Sequence, residues 1–406
     1  MRSVFLKGLC LPALLAGEAL AMSLYDTAPA IGLPVSQAVK YTLSARVGYD
    51  DNTNYSYRNK TPSVYTGANF GASYADYEST TKTHYNASLG ATYYFKKAYN
   101  TNKKWFSNTS VGGGISHSFS ARSTYSLTAS LRYQPEPDYA NGMSTSRGQG
   151  DCFNWSLSNA VTRSIDTRWS WTLNASYTGN YYAEKVYEYD DRQYINGGAR
   201  LSVKTSELVS YSLNLSYRKD LKKNGYGYNS DNFYATLGTN RSLTPYSSMS
   251  VSVGVQQKQI HHEKIWTPTA RVGYNRKVME GFSINLYGSL DNENVDTYRG
   301  SFGSYLSNPS VRVGFSGSYT WSPDLSLMFG LSYYTSEYTR GEGGMRSYNR
   351  YSISPNVGAS FRITDKIRGS ISYTHTISNS SYGYYRSGNN NKYHRNNASF
   401  SATYSF

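Results

Sequence analysis

Residues 41–49 read Tyr-Thr-Leu-Ser-Ala-Arg-Val-Gly-Tyr. Apolar and polar side chains alternate along this stretch, and a period of two places them on opposite faces of an extended strand. The apolar face runs Tyr41, Leu43, Ala45, Val47, Tyr49, with a ring at each end and aliphatic groups between. A soluble sandwich alternates as well, so the ends of the strand decide the fold. Amphipathic rings favour the headgroup level of a bilayer, and the aliphatic zone between two of them matches its hydrocarbon.

The same alternation recurs in about eighteen stretches, for example Leu127, Ala129 and Leu131 against Thr128, Ser130 and Arg132, or Val251 and Val253 against Ser250 and Ser252. Read alternately up and down, the stretches align their rings into two belts. One includes Tyr41, Tyr74, Phe119, Trp169, Tyr211 and Trp321; the other includes Tyr49, Trp105, Trp155, Tyr217, Trp266 and Tyr333. Aromatics make up 16% of the chain, yet its mean hydropathy is −0.60. Beyond the amino terminus no apolar run approaches the roughly 18 residues of a spanning helix. A chain of this kind crosses a membrane as strands, and strands in lipid must close on themselves to satisfy their backbone groups.

Short connectors fall near 76–81, 121–123, 164–167, 205–208, 243–246, 277–281, 322–324 and 363–366. Longer polar ones lie between them, at roughly 50–61, 96–104, 134–151, 182–193, 219–231, 258–264, 291–308, 336–349 and 378–395. Eight short and nine long connections predict an all-β, transmembrane, antiparallel up-and-down barrel of about 18 strands over residues 40–406. An even strand count returns both termini to the periplasm.

The amino terminus reads as an export signal. Arg2 and Lys7 precede an apolar stretch, and Ala19-Leu20-Ala21 fits a small-x-small cleavage site, so residues 1–21 are expected to be a signal peptide. Residues 22–39 lack alternation and carry Pro29 and Pro34. They are expected to form a periplasmic extension, with a partial plug as the alternative. Cys10 lies in the signal, which leaves Cys152 alone, in a long connector, as a plain loop residue unable to form an intrachain disulfide. Removing residues 1–21 takes away Arg2, Lys7 and Glu18 and lowers the formal net charge from +15 to +14. These charges are scattered, without a basic helix or motif, so nucleic acid is not an expected partner.

At the other end Phe400, Ala402, Tyr404 and Phe406 alternate with Ser401, Thr403 and Ser405. This ending resembles the carboxy-terminal signal read by the outer-membrane barrel assembly machinery. The opening Ala45-Arg46-Val47-Gly48-Tyr49-Asp50-Asp51-Asn52-Thr53 resembles that of the β-barrel porin 2 family, whose members begin with a similar Tyr-Asp-Asp-Asn stretch. The resemblance implies a barrel in the cell outer membrane of a Gram-negative bacterium, often linked to exopolysaccharide loci, with no catalytic residues to carry over.

Function depends on the inward face. Ser110, Gly112, Gly114, Ser116, Ser156 and Ser158 give it small polar walls, which favour an open passage. Arg46, Arg132, Arg200, Lys204, Arg218, Arg271 and Arg312 fall on inward registers, and no Asp or Glu is expected within a strand core. Acids collect instead in short turns, as Asp166, Glu207, Glu280, Asp324 and Asp365, and in long loops, as Glu184, Glu188, Asp190 and Asp191. Fixed positive charge on a low-dielectric wall favours anions. Pairing with loop acids folded inward would weaken that field.

Catalytic patterns are thin. His261-His262-Glu263 lacks metal-ligand spacing, no nucleophile elbow is present, and His84 and His394 stand alone. No enzymatic activity, metal or cofactor is expected. A channel for passive diffusion of small polar or anionic solutes ranks first. A barrel for exopolysaccharide export or surface glycan binding ranks second, with Tyr226, Tyr228, Tyr382, Tyr384 and Tyr385 offering stacking faces. A hydrolase or adhesin ranks third. The expected partners are outer-membrane lipid, the assembly machinery, and small solutes or polysaccharide.

Overall fold

The computed structural model describes residues 39–53, 59–77, 80–96, 104–134, 152–183, 191–222, 229–260, 262–293, 307–339, 348–380 and 392–406. The signal peptide and nearly all of the proposed extension lie outside them, as do Glu184, Glu188, Asp190, His261 and the loop tyrosines named above. The strands are β1 (Lys40–Asp50), β2 (Ser63–Asp76), β3 (Thr81–Tyr94), β4 (Trp105–Ser120), β5 (Ser123–Gln134), β6 (Cys152–Ser164), β7 (Trp169–Tyr182), β8 (Arg192–Lys204) and β9 (Val209–Lys222). They continue as β10 (Ser230–Thr244), β11 (Ser247–Ile260), β12 (Glu263–Met279), β13 (Phe282–Glu293), β14 (Asn308–Ser322), β15 (Leu325–Tyr338), β16 (Tyr348–Arg362), β17 (Ile367–Ser380) and β18 (Tyr393–Ser405).

Each strand pairs antiparallel with its neighbours in sequence, and β1 also pairs with β18, which closes one sheet of 18 strands. The expected fold is therefore the one found. Register carries the period-two pattern around the barrel: Leu43 lies opposite Phe70 on one side and Tyr404 on the other, all facing outward. The distribution of burial is inverted relative to a soluble protein. Leu89 and Leu237 on the outer face are each 63% exposed, whereas Asn232 and Gln256 on the inner face are fully buried. An outer surface of Leu, Val and Ile bounded by rings requires lipid as its solvent.

The rings sit as expected, in lateral contact across strands: Tyr74 with Tyr85 at one belt, with centroids 6.3 Å apart, and Trp155 with Tyr177 at the other, at 6.0 Å. Short turns join the strands at one end. Gly281 ends the turn before β13 with φ of 75°, a left-handed conformation that side-chain-bearing residues rarely adopt. In the turn before β7 the Asp166 carboxylate accepts hydrogen bonds from the Trp169 and Arg168 amides, both at 2.7 Å, and these hold its carboxyl below the usual range.

At the loop end the strands run further than the alternation indicates. The connection at 219–231 shrinks to 223–229, and that at 258–264 is the two-residue link 261–262. Strands of 11 to 17 residues match or exceed the roughly 9 to 11 needed to cross hydrocarbon. Above the outer belt both faces become polar, as at Lys219, Asp231, Gln257 and Gln259, so the apolar alternation disappears while the hydrogen-bonded ladder continues. Cys152 is corrected for the same reason: it is the first residue of β6, fully buried, with its thiol near Asn154 Oδ1 at 3.7 Å.

The Tyr-Asp-Asp-Asn stretch lies at the closing seam. Asp50 accepts from Arg395 Nε at 2.9 Å and Nη2 at 2.5 Å, Asp51 accepts from the Asn396 amide at 2.7 Å and from Asn396 Nδ2 at 2.6 Å, and Asn52 Nδ2 donates to the His394 carbonyl at 2.8 Å. At the turn end Tyr41 and Phe406 exchange two backbone hydrogen bonds of 2.9 and 3.0 Å, and their rings stack with centroids 5.6 Å apart.

Candidate functional site

Cross-strand partners share a face, so the inward wall can be followed from strand to strand. Much of it consists of hydroxyl pairs: Ser88 with Ser110 at 2.7 Å, Thr162 with Thr172 at 3.0 Å, Ser283 with Ser318 at 2.8 Å, and Ser372 with Ser399 at 2.8 Å. Short side chains that satisfy each other project little from these parts of the wall.

All seven basic residues singled out from the sequence occupy inward registers, and their surroundings differ. Arg46 lies over the Tyr65 ring at 5.2 Å, Arg218 over Tyr194 at 4.1 Å and Arg312 over Tyr334 at 4.8 Å. Each ring holds a guanidinium against the wall without neutralising it. At 48 a side chain would meet the Tyr65 ring at 2.3 Å, so Gly48 lets that ring lie flat on β1. Arg200 Nε donates to Ser202 Oγ at 3.2 Å. Among the described residues Arg132, Arg200 and Lys204 have no carboxylate within 4.0 Å.

Some of the acids expected in the long loops are strand residues at the loop end. Because the ladder extends beyond the outer belt, it brings Asp50, Asp220 and Asp291 onto inward registers. Arg218 Nε lies 2.7 Å from Asp220 and Arg271 Nη2 lies 3.2 Å from Asp291, so these two cations each carry an acid partner.

Asp220 is the centre of a network that the sequence reading missed. Its carboxylate also accepts from Ser230 Oγ at 2.8 Å and Asn232 Nδ2 at 3.0 Å. Gln256 Nε2 in turn donates to Asn232 Oδ1 at 3.1 Å, to Tyr234 Oη at 3.0 Å and to the Asn292 carbonyl at 3.2 Å. Lys258, opposite Asn232 in register, is 1% exposed. Lys258, Arg192 and Arg395 fell within expected loops, yet all three are strand residues. The available signal was parity: Lys258 continues the inward series of Gly254 and Gln256 after the outer face has turned polar.

No family model and no curated protein matches the chain. Among solved structures it is similar to OccK2 (OpdF) of Pseudomonas aeruginosa, with a TM-score of 0.52 and 11% identity over 91% of this chain and 98% of that one. It is equally similar to the outer membrane protein OpdK of the same organism, with a TM-score of 0.52 and 12% identity over 92% and 100% of the two chains. OccK2 has been solved in complex with glucuronate, with a TM-score of 0.50, 11% identity and 91% and 98% coverage. OpdK has been solved with vanillate, with a TM-score of 0.51, 12% identity and 91% and 99% coverage. These likenesses establish a fold shared with outer-membrane barrels.

Proposed function

We propose that this protein is a non-enzymatic channel in the cell outer membrane for passive diffusion of small polar solutes, with a preference for anions. The observation that carries the reading is the set of inward cations left without an acid beside them: Arg132, Arg200 and Lys204 lie on the wall with no carboxylate within 4.0 Å among the described residues. An 18-strand closure is wide enough for water to fill the lumen, and fixed cations on a low-dielectric wall raise the local concentration of anions. Glucuronate and vanillate, bound by proteins of the same fold, have the size and charge of such solutes.

Planar-bilayer recording tests the proposal. The purified protein should conduct and pass chloride in preference to potassium, with selectivity fading as salt shortens the roughly 8 to 10 Å screening length. Replacing Arg132, Arg200 and Lys204 together by Glu should reverse the sign of the reversal potential. Arg218→Gln or Arg271→Gln should shift it less, because each removes one charge where the triple replacement reverses three. A protein that does not conduct, or whose ion preference is indifferent to the triple replacement, overturns the reading.

A further inference from the structure

The outer face carries cations that the channel does not use. Arg241 on β10 and Arg276 on β12 both point outward at the turn end, where Arg241 lies opposite Met249 and Arg276 opposite Ser247 on the intervening β11. Both side chains are exposed. Among the described residues neither has a carboxylate within 4.0 Å, although Glu207 and Glu280 occupy turns at the same end. Two strands separate them laterally by about 10 Å, a gap that two arginine side chains can close from both sides of β11. The surface around them is apolar or amphipathic: Leu243 is 44% exposed, Tyr246 65% and Met279 55%. Tyr274 lies opposite Met249, level with Arg241 and one outward position nearer the hydrocarbon zone than Arg276.

A guanidinium at the depth of an aromatic belt, without a counter-ion from its own chain, is available to an anion that the membrane supplies. The side chain is long enough to keep its charge at headgroup level while its stem covers apolar surface. We propose that Arg241 and Arg276 form a binding site for the phosphate of an anionic glycerophospholipid in the leaflet at the turn end, its acyl chains lying along Met249 and the aliphatic face beyond. The convergence of two forked donors on one phosphodiester provides the recognition. This inference rests on the membrane setting of the outer face and is independent of whether the lumen conducts.

The full chain, purified in neutral detergent, is titrated with phosphatidylglycerol or with phosphatidylcholine, and retained lipid is counted by native mass spectrometry. The wild-type protein should retain phosphatidylglycerol preferentially. R241Q and R276Q should each weaken retention about fivefold, and the double variant roughly twenty-fold or more, in line with the contribution of one basic side chain at an anionic surface. R241K/R276K should keep most of it, and R46Q, on the inward wall, should match wild type. Gel mobility of unboiled samples reports whether each barrel is closed. Unchanged retention in a closed R241Q/R276Q barrel overturns the proposal, as does an equal fall in R46Q. Displacement of the lipid by millimolar inorganic phosphate would show a free-anion site and overturn the lipid assignment.

Discussion

Asp50 and Arg395 are 345 positions apart in the chain and meet at the seam with side chains 0% and 8% exposed. Removing one partner leaves a charge in a site built for two, which typically costs about 3 to 5 kcal/mol. Asp50→Asn and Arg395→Gln should therefore each lower the temperature at which the barrel opens in detergent, read as the gel shift between folded and unfolded forms. The double variant should lose much less than the sum of the two, since the charges are coupled. Additive losses would show that the pair does not act as a unit. The Tyr-Asp-Asp-Asn stretch stood out in the sequence, but its partner did not: nothing local marks Arg395 as the residue that closes on Asp50.

The ends of the elements carry more information than their middles. β18 ends against the first strand, where Phe406 exchanges backbone hydrogen bonds with Tyr41 and stacks on its ring. Phe400 and Tyr404 face outward beside it, opposite Val47 and Leu43. Changing Phe406→Asp keeps the backbone pairing but puts a charge on the lipid side, whereas deleting Phe406 removes both. Each should lower the amount of protein in the outer-membrane fraction while export to the periplasm continues, and the deletion should do so more severely. Normal outer-membrane abundance of both would rule out a terminal assembly role. The outer edges of the strands were the least legible parts of the sequence. There lipid no longer demands an apolar face, so Lys258 and Arg192 resemble loop residues while belonging to the ladder.

For the whole molecule, closure means that the strand backbone has no free edge. β1 is held by β2 on one side and by β18 on the other, so detergent finds no open strand from which to unravel the sheet. The unboiled protein should resist SDS and migrate differently from the boiled form, with circular dichroism dominated by strand. Identical mobility together with a helical spectrum would contradict a closed barrel.

The strand count, the alternation of faces and the two ring belts were determined by the sequence alone, because a period of two is a property of each strand's own geometry and lipid enforces it at every position it touches. The placement of Arg132 and Arg200 on the inner face follows from the same parity. What only the tertiary structure decided is how charge is distributed on that face. Arg218 finds Asp220 along its own strand, Arg271 finds Asp291 on the next, and Arg395 finds Asp50 across the seam. These pairings depend on how far the ladder climbs beyond the membrane and on which strands meet at closure. Neither is written in the local period, because above the lipid both faces of a strand meet water or protein and polar residues suit either one.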